Sequence, residues 1–322
     1  MKRNILLSTF VLLTILFIGC QSTRIPESVI NIEQPDFANN QELLKIYCPE
    51  FEYTNKKTQK KQIVAGDCTI VILPDNKCMV VDAFSNEAGK DLSAFIKSLG
   101  ITKIDYLIAS HYHRDHIGGM LALINNFEIG TFYSNGVPFD STTCDLFLDL
   151  LDLNNIKINV LKEGDIVNLT DDGSNCRIEL LWPSLTEDEI YDVYCKPGNT
   201  EKKANSTSLV FKLIYKDFSF LFTGDMYKAV DKALIQKYPD KLKSTILKAP
   251  HHGEFYTANS RALIKTVKPD YVVVEDPQYI CQVICKRYER QNVPVLFRRR
   301  PGYILLQSDG VKYSIETTKF QK

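Results

Sequence analysis

The chain has 322 residues, 44% of them hydrophobic and 24% charged, and a formal charge of zero at pH 7. That composition is ordinary for a globular chain and is enough for one large domain. The even balance excludes a global basic field of the kind that draws a protein onto nucleic acid.

In chain order, Lys2 and Arg3 precede an apolar run from Ile5 to Ile18 that closes in Phe17-Ile-Gly-Cys20. The run is short for a bilayer span and stops at a small residue before a cysteine. It predicts a lipoprotein signal peptide over 1–19, with Cys20 as the lipid-carrying residue that anchors the chain to a bacterial membrane. An uncleaved signal anchor is the alternative, and either places the rest of the chain outside the cytoplasm. A polar tether over 20–42 then leads into one domain over 43–322.

Thr69 to Leu73 and Cys78 to Val81 are predicted strands joined by the Pro74-Asp-Asn-Lys77 turn, and Lys56, Lys57, Lys60 and Lys61 sit in what looks like an inserted hairpin before them. Gly89 to Leu99 carries helical spacing, and Tyr106 to Ala109 is a buried strand. Strands follow near Ile129 to Tyr133 and at Cys176 to Trp182, then a polar loop from Ser184 to Ala204. Ser208 to Tyr215 and Phe218 to Phe222 meet at Lys216-Asp217, before a helix around Tyr227 to Tyr238. The remainder alternates: strand to Lys248, helix to Val267, strand Tyr271 to Val274, helix to Arg290, and short strands at Val295, Tyr303 and Val311. Strands alternating with helices predict an α/β fold, in which loops at the carboxyl ends of strands carry the chemistry.

All five histidines fall in two clusters. His111, His113 and His116 lie in Ser-His-Tyr-His-Arg-Asp-His-Ile-Gly-Gly, directly after the Tyr106 to Ala109 strand. His251 and His252 lie in Ala-Pro-His-His-Gly. Imidazole is the commonest metal ligand near neutral pH, and four potential ligands within six residues converge on something small and cationic. Cys48, Cys68, Cys78, Cys144, Cys176, Cys195, Cys281 and Cys285 read as buried thiols. No Cys-x-x-Cys pair marks a structural zinc.

Asp82 at a strand end, His111-x-His113-x-Asp115-His116 after the next strand, Gly224-Asp225 later and His251-His252 after that form an ordered set. It resembles the metallo-β-lactamase superfamily. Within it, the chain is most similar to the extracytoplasmic hydrolase domain of ComEC-type competence proteins. The likeness rests on Gly66-Asp-Cys68, Asn205-Ser-Thr-Ser208, Leu221-Phe-Thr-Gly-Asp225, Leu247-Lys-Ala-Pro-His-His-Gly253 and the tail Gly302-Tyr-Ile with Ser308-Asp-Gly310. The resemblance implies a four-layer αββα sandwich, two mixed sheets face to face with helices outside.

Ligand types then suggest two divalent ions, Zn²⁺ or Mn²⁺. His111 and His113 can hold one; Asp115, His116 and a late histidine can hold the second, with the Asp225 carboxylate bridging. A water between two such cations ionises near neutral pH and becomes a nucleophile, which is hydrolysis. His252 matches the family's ligand position better, leaving His251 to face substrate as donor or general acid; the swap stays open. The resemblance gives Asp82 the task of accepting a hydrogen bond from a histidine's far nitrogen, against an ordinary turn Asp. Asn205 either contacts substrate or caps a turn.

No histidine exists from 117 to 250, where many superfamily members carry another ligand. The first position is thus oxygen-rich and open to Mn²⁺ as well as Zn²⁺. An aspartate at the bridging position favours phosphoesters, so a two-metal phosphodiesterase or nuclease leads, with single-stranded nucleic acid among the candidate substrates. Arg298-Arg-Arg300, the lysines of the hairpin, and Tyr112 and Arg114 at the mouth are candidate substrate contacts. A same-fold hydrolase of a phosphocholine ester or lactone, and a non-catalytic metal-binding module, remain as alternatives.

Overall fold

The computed structural model describes residues 42–171, 173–185, 201–275, 282–297 and 300–319. The expected signal segment, Cys20 and nearly all of the tether lie outside these residues, as do Cys195, Cys281, Arg298 and Arg299. Two sheets organise the rest. Strands being numbered in chain order, the first runs β17 (Tyr313–Thr318), β16 (Gly302–Ser308), β1 (Leu44–Glu50), β4 (Thr69–Ile72), β5 (Cys78–Val81), β6 (Lys103–Ala109), β7 (Glu128–Ser134), β8 (Ile158–Val160), and the second β15 (Val295–Phe297), β14 (Tyr271–Val274), β13 (Ile246–Lys248), β12 (Phe218–Phe222), β11 (Val210–Tyr215), β10 (Cys176–Trp182), β9 (Ile166–Asn168).

In the first sheet the strands that lead toward the site are β4 (Thr69–Ile72), β5 (Cys78–Val81), β6 (Lys103–Ala109) and β7 (Glu128–Ser134). β4 pairs with β5 antiparallel, and β5, β6 and β7 run parallel. In the second sheet β12 (Phe218–Phe222), β13 (Ile246–Lys248) and β14 (Tyr271–Val274) run parallel, and β11 (Val210–Tyr215) pairs antiparallel with β12.

Alternation along these strands makes the layers. Met79 and Val81 of β5 and Ile108 of β6 point into a core shared with Phe211, Phe220, Phe222, Ile246 and Val273 of the other sheet. Val80 and Leu107 point the opposite way, onto Leu92 and Ile96 of helix α1 (Gly89–Ser98), Met120 and Leu123 of α3 (Met120–Asn126), and Phe147 and Leu151 of α4 (Thr142–Leu153). Leu221, Leu247 and Val272 likewise turn outward onto Val230 and Leu234 of α6 (Lys228–Lys237), Leu263 of α7 (Arg261–Val267) and Ile284 of α8 (Gln282–Glu289). Strands covered on both faces read as unbroken apolar runs, which is why they were legible. The result is the αββα sandwich that the resemblance implies.

Three expectations are corrected. The polar loop from Ser184 to Ala204 ends in a helix, α5 (Glu201–Ser206), because Glu-Lys-Lys-Ala is a run of good helix formers. The strand expected from Ser208 starts at Val210, since Ser208 turns toward Asp225. The strand placed at Val311 is instead β17 (Tyr313–Thr318). Asp309 accepts from the backbone N–H groups of Val311 and Lys312 and holds Val311 in the turn. The inserted hairpin is present as β2 (Glu52–Thr54) and β3 (Lys61–Ile63), paired only with each other. Cys48, Cys68, Cys78 and Cys144 are buried as free thiols and Cys176 is buried, whereas Cys285, expected to be buried, is only half-buried on α8.

Candidate metal centre

Every histidine follows the carboxyl end of a parallel strand. Ser110 to His116 leave β6 and enter the short helix α2 (Arg114–Ile117), while His251 and His252 leave β13. Asp82 follows β5 and Asp225 follows β12. Because β6 belongs to one sheet and β13 to the other, the site lies across one end of the sandwich.

The tight turns depend on missing side chains. Gly66 has φ +107°, and a Cβ there would stand 1.6 Å from the carbonyl oxygen of Asp115. Gly119 would clash with the Ala83 carbonyl at 2.0 Å, and Gly224 with the Ser208 side chain at 2.7 Å. These close approaches seat the α2 turn against Asp82 and Asp67, and the Asp225 turn against Ser208, whose hydroxyl accepts from the Asp225 N–H at 3.2 Å. His251 and His252 themselves adopt left-handed backbone, φ 49° and 52°, which is uncommon for side-chain-bearing residues and turns two adjacent rings toward one point.

Two buried carboxylates grip the histidines from behind. His116 Nδ1 lies 2.9 Å from Asp82 Oδ2, and Asp82 also accepts from the Ser110 N–H and hydroxyl, both at 2.8 Å. His252 Nδ1 lies 2.8 Å from Asp67 Oδ1. With Nδ1–H donated to a carboxylate, each ring keeps its Nε2 for the front, where a metal can take the place of the proton.

In front, Asp225 Oδ2 lies 3.3 Å from His116 Nε2, 3.4 Å from His252 Nε2, and 3.8 Å from both His111 Nε2 and His251 Nε2. Asp115 Oδ2 is 3.5 Å from His252 Nε2. Donor atoms of Asp67, His116, Asp225 and His252 form one group within 4.8 Å of one another, and those of His111, His113 and Asp225 form another. Asp225 belongs to both. Asp67 has both oxygens engaged, one by His252 and one by the Lys248 ammonium at 2.5 Å, so it holds a ligand rather than facing the centre. The Nε2 atoms of His111, His113 and His116 and Oδ1 of Asp225 are buried with no hydrogen-bond partner among the described residues. Such atoms cost a kcal/mol or more each unless something completes them, on the order of 1–3. A divalent cation fits that donor set.

The electrostatics say the same. Burial opposes charge on His116, yet Asp225, Asp82 and Asp115 hold its imidazolium well above the ordinary range. His252 behaves alike, with Asp225 and Asp67 outweighing burial. Asp225 is held well below the carboxylate range, its burial offset by His252 and His116. Burial and the neighbouring rings push His111 and His113 down, so these two are neutral and ready to coordinate. Without metal, protons on His116 and His252 provide the positive charge that Asp225 attracts.

A model of the metallo-beta-lactamase superfamily matches residues 63–274, more than half of the chain. The chain belongs to that superfamily. It is 24% identical over 164 residues to ComE operon protein 3 of Bacillus subtilis, and 21% identical over 178 residues to competence protein ComA of Neisseria gonorrhoeae. Those segments are 51% and 55% of this chain but only 19% and 21% of the relatives, so the chain matches about a fifth of each. Among solved structures it is similar to Igni18, a metallo hydrolase of the archaeon Ignicoccus hospitalis, at 14% identity and TM-score 0.49, covering 81% of this chain and 98% of that one.

The ordered motif residues expected of a metallo-β-lactamase superfamily member are brought together here. His111, His113, Asp115, His116, Asp225, His251 and His252 meet at one end of the sandwich, and Asp82 stands behind His116. Asn205 is buried on α5 and donates through Nδ2 to the Tyr227 hydroxyl at 3.2 Å, and the Tyr227 ring lies against His251 at 5.3 Å. His251 is the most open histidine of the late pair, its side chain 23% exposed against 1% for His252. One expectation fails: Tyr112 does not line the mouth. Its ring is buried against Phe147 and its hydroxyl bonds Ser134 Oγ at 2.6 Å, because odd and even residues of the extended turn face opposite sides. Arg114 is at the surface, where it pairs with Glu87. A cleft of about 530 Å³, lined by Tyr53, Gln62, Ile63, Ser85, Glu87 and Arg114, opens beside Asp115.

Sequence reasoning assigned no task to Asp67, Lys248 or Tyr227. Lys248 could have been noticed as a lone charge at the end of an apolar strand run, a place where lysine is rarely found unless paired.

Proposed function

We propose that this protein is a two-metal phosphodiesterase that works outside the cytoplasm, tethered to a membrane through a lipid on Cys20. One observation carries the metal count: Asp225 is common to two donor groups, His111 with His113 and His116 with His252. Asp115, 3.5 Å from His252 Nε2, adds an oxygen donor to the second. Divalent ions held there would supply Lewis-acid charge on a phosphoryl oxygen and lower the pKa of water. A carboxylate at the shared position and two histidines at the first make the donor set hard enough for Mn²⁺ as well as Zn²⁺.

The chain's own residues do the rest. Asp82 and Asp67 fix the His116 and His252 rings. His251, partly open and bonded at Nδ1 to the Thr257 hydroxyl at 3.1 Å, presents Nε2 toward the centre, where the ring in its imidazolium form gives a proton to a leaving oxygen. Burial keeps that ring below the ordinary imidazole range. Asn205 Oδ1, buried and without a partner among the described residues, is placed to accept a hydrogen bond from substrate. The likeness to competence proteins and the lysine-bearing hairpin support single-stranded nucleic acid as the diester.

The test uses residues 21–322 with Mn²⁺ or Zn²⁺ on bis(p-nitrophenyl) phosphate, single-stranded DNA and a lactone. Diester and DNA turnover that disappears in Asp225→Ala supports the reading. Turnover of the lactone alone replaces it with the esterase alternative, and metal uptake without any turnover replaces it with the binding module.

A further inference from the structure

Beneath His252 lies a charged assembly that the hydrolytic chemistry does not use directly. Lys248 ends β13 in one sheet, and Asp67 precedes β4 in the other. The Lys248 ammonium reaches Asp67 Oδ2 at 2.5 Å and the Ala249 carbonyl at 3.3 Å. Glu275, directly after β14, takes the N–H of Cys68 at 3.1 Å and the hydroxyl of Thr69 at 2.9 Å, fastening the same two sheets a step further in. Among the described residues Lys248 is the only lysine or arginine that is buried. A small cavity of about 10 Å³, roughly one water, is lined by Asp67, Asp82, Lys248 and Glu275 and by the apolar Val81, Phe211 and Phe222.

A buried ion pair is a poor way to hold two sheets together, because removing both charges from water offsets most of their attraction. Its geometry here has a more specific consequence. The two oxygens of Asp67 are divided between two partners, and the ammonium on Oδ2 fixes the carboxylate plane so that Oδ1 meets His252 Nδ1 at 2.8 Å. We propose that Lys248 is a positioning residue for the metal centre, clamping Asp67 onto His252 and thereby setting the affinity of the position that His252 shares with His116 and Asp225. The inference rests on the metal-binding part of the function proposed above and is independent of the substrate.

Zn²⁺ titration against a chromophoric chelator tests it on wild type and Lys248→Met, with Co²⁺ spectra to report which position changes. The clamp predicts that Lys248→Met weakens one class of site by about 10–100-fold and leaves the His111 and His113 position unchanged. A merely structural lysine would weaken every site together or none. Should Lys248→Met not fold, Lys248→Met with Glu275→Gln removes the cation together with a second buried acid that lines the same cavity, and the same titration decides. Wild-type affinity at every site in whichever variant folds overturns the proposal. A failure of the two-metal reading shows separately, as wild type taking up fewer than two equivalents.

Discussion

Replacing Asp82 with asparagine changes one atom's chemistry and little of its shape, so its effect can be worked from the contacts. Asp82 is buried and accepts three hydrogen bonds: from the Ser110 N–H, the Ser110 hydroxyl and His116 Nδ1, at 2.8, 2.8 and 2.9 Å. Asparagine has one accepting oxygen. If that oxygen stays on the Ser110 N–H, the amide nitrogen faces His116 Nδ1 and donates to it, which drives the ring proton to Nε2, the atom aimed at the metal. Metal must then displace that proton or reverse the amide. Outer-shell partners of this kind contribute about 10–100-fold in affinity, or ~1.4–2.8 kcal/mol. Chelator-competition titration of Asp82→Asn should show that loss at the His116 position alone. Asp82→Asn with wild-type metal affinity would refute the orienting role of Asp82.

Gly66→Ala should be costly, since its Cβ would meet the Asp115 carbonyl at 1.6 Å with φ at +107°; about 3 kcal/mol or more is expected, read as a fall in Tm of roughly 5–10 °C. Burial pushes Asp231 up to about 6 from an ordinary 3.8, so the protonated form favours the fold, and stability is lost as pH rises from 3.8 through 6. Asp231→Asn should therefore stabilise the protein by about 1–3 kcal/mol at pH 8 and by nothing at pH 3.5, in urea unfolding at the two pH values. In metal-stripped protein, His116 and His252 are raised well above 6.5, so their contribution is complete below pH 6.5 and lost as pH rises through their folded values. Calorimetry should show the stripped protein melting lower at pH 9 than at pH 6.5, and Zn²⁺ raising Tm more at the higher pH, because coordination displaces those protons.

How far the residues alone announce this molecule depends on how local the physics is. β5 and the part of β6 from Tyr106 onward are apolar on both faces, and Gly100 closes α1, so pattern sufficed there, whereas Lys103 and Asp105 hid the first half of β6. The clustered histidines and their order with Asp82 and Asp225 carried the superfamily. α4 escaped because Leu146 and Leu153 stand exposed, 54% and 78%, which blurs its amphipathic stripe. The support beneath the site escaped for another reason: Lys248 and Asp67 are 181 residues apart, and Cys68 and Glu275 are 207 apart. Only the packing of two sheets brings them together. Tyr112 shows the converse, a residue whose neighbours in sequence belong to the site while its side chain belongs to the core.

The proposed chemistry needs two divalent ions sharing Asp225. Anomalous diffraction at the Zn or Mn edge from metal-loaded crystals measures that directly. Two peaks are predicted, one between His111 and His113 and one between His116 and His252, both touching the Asp225 carboxylate. A single peak, or two that do not have Asp225 in common, would contradict it.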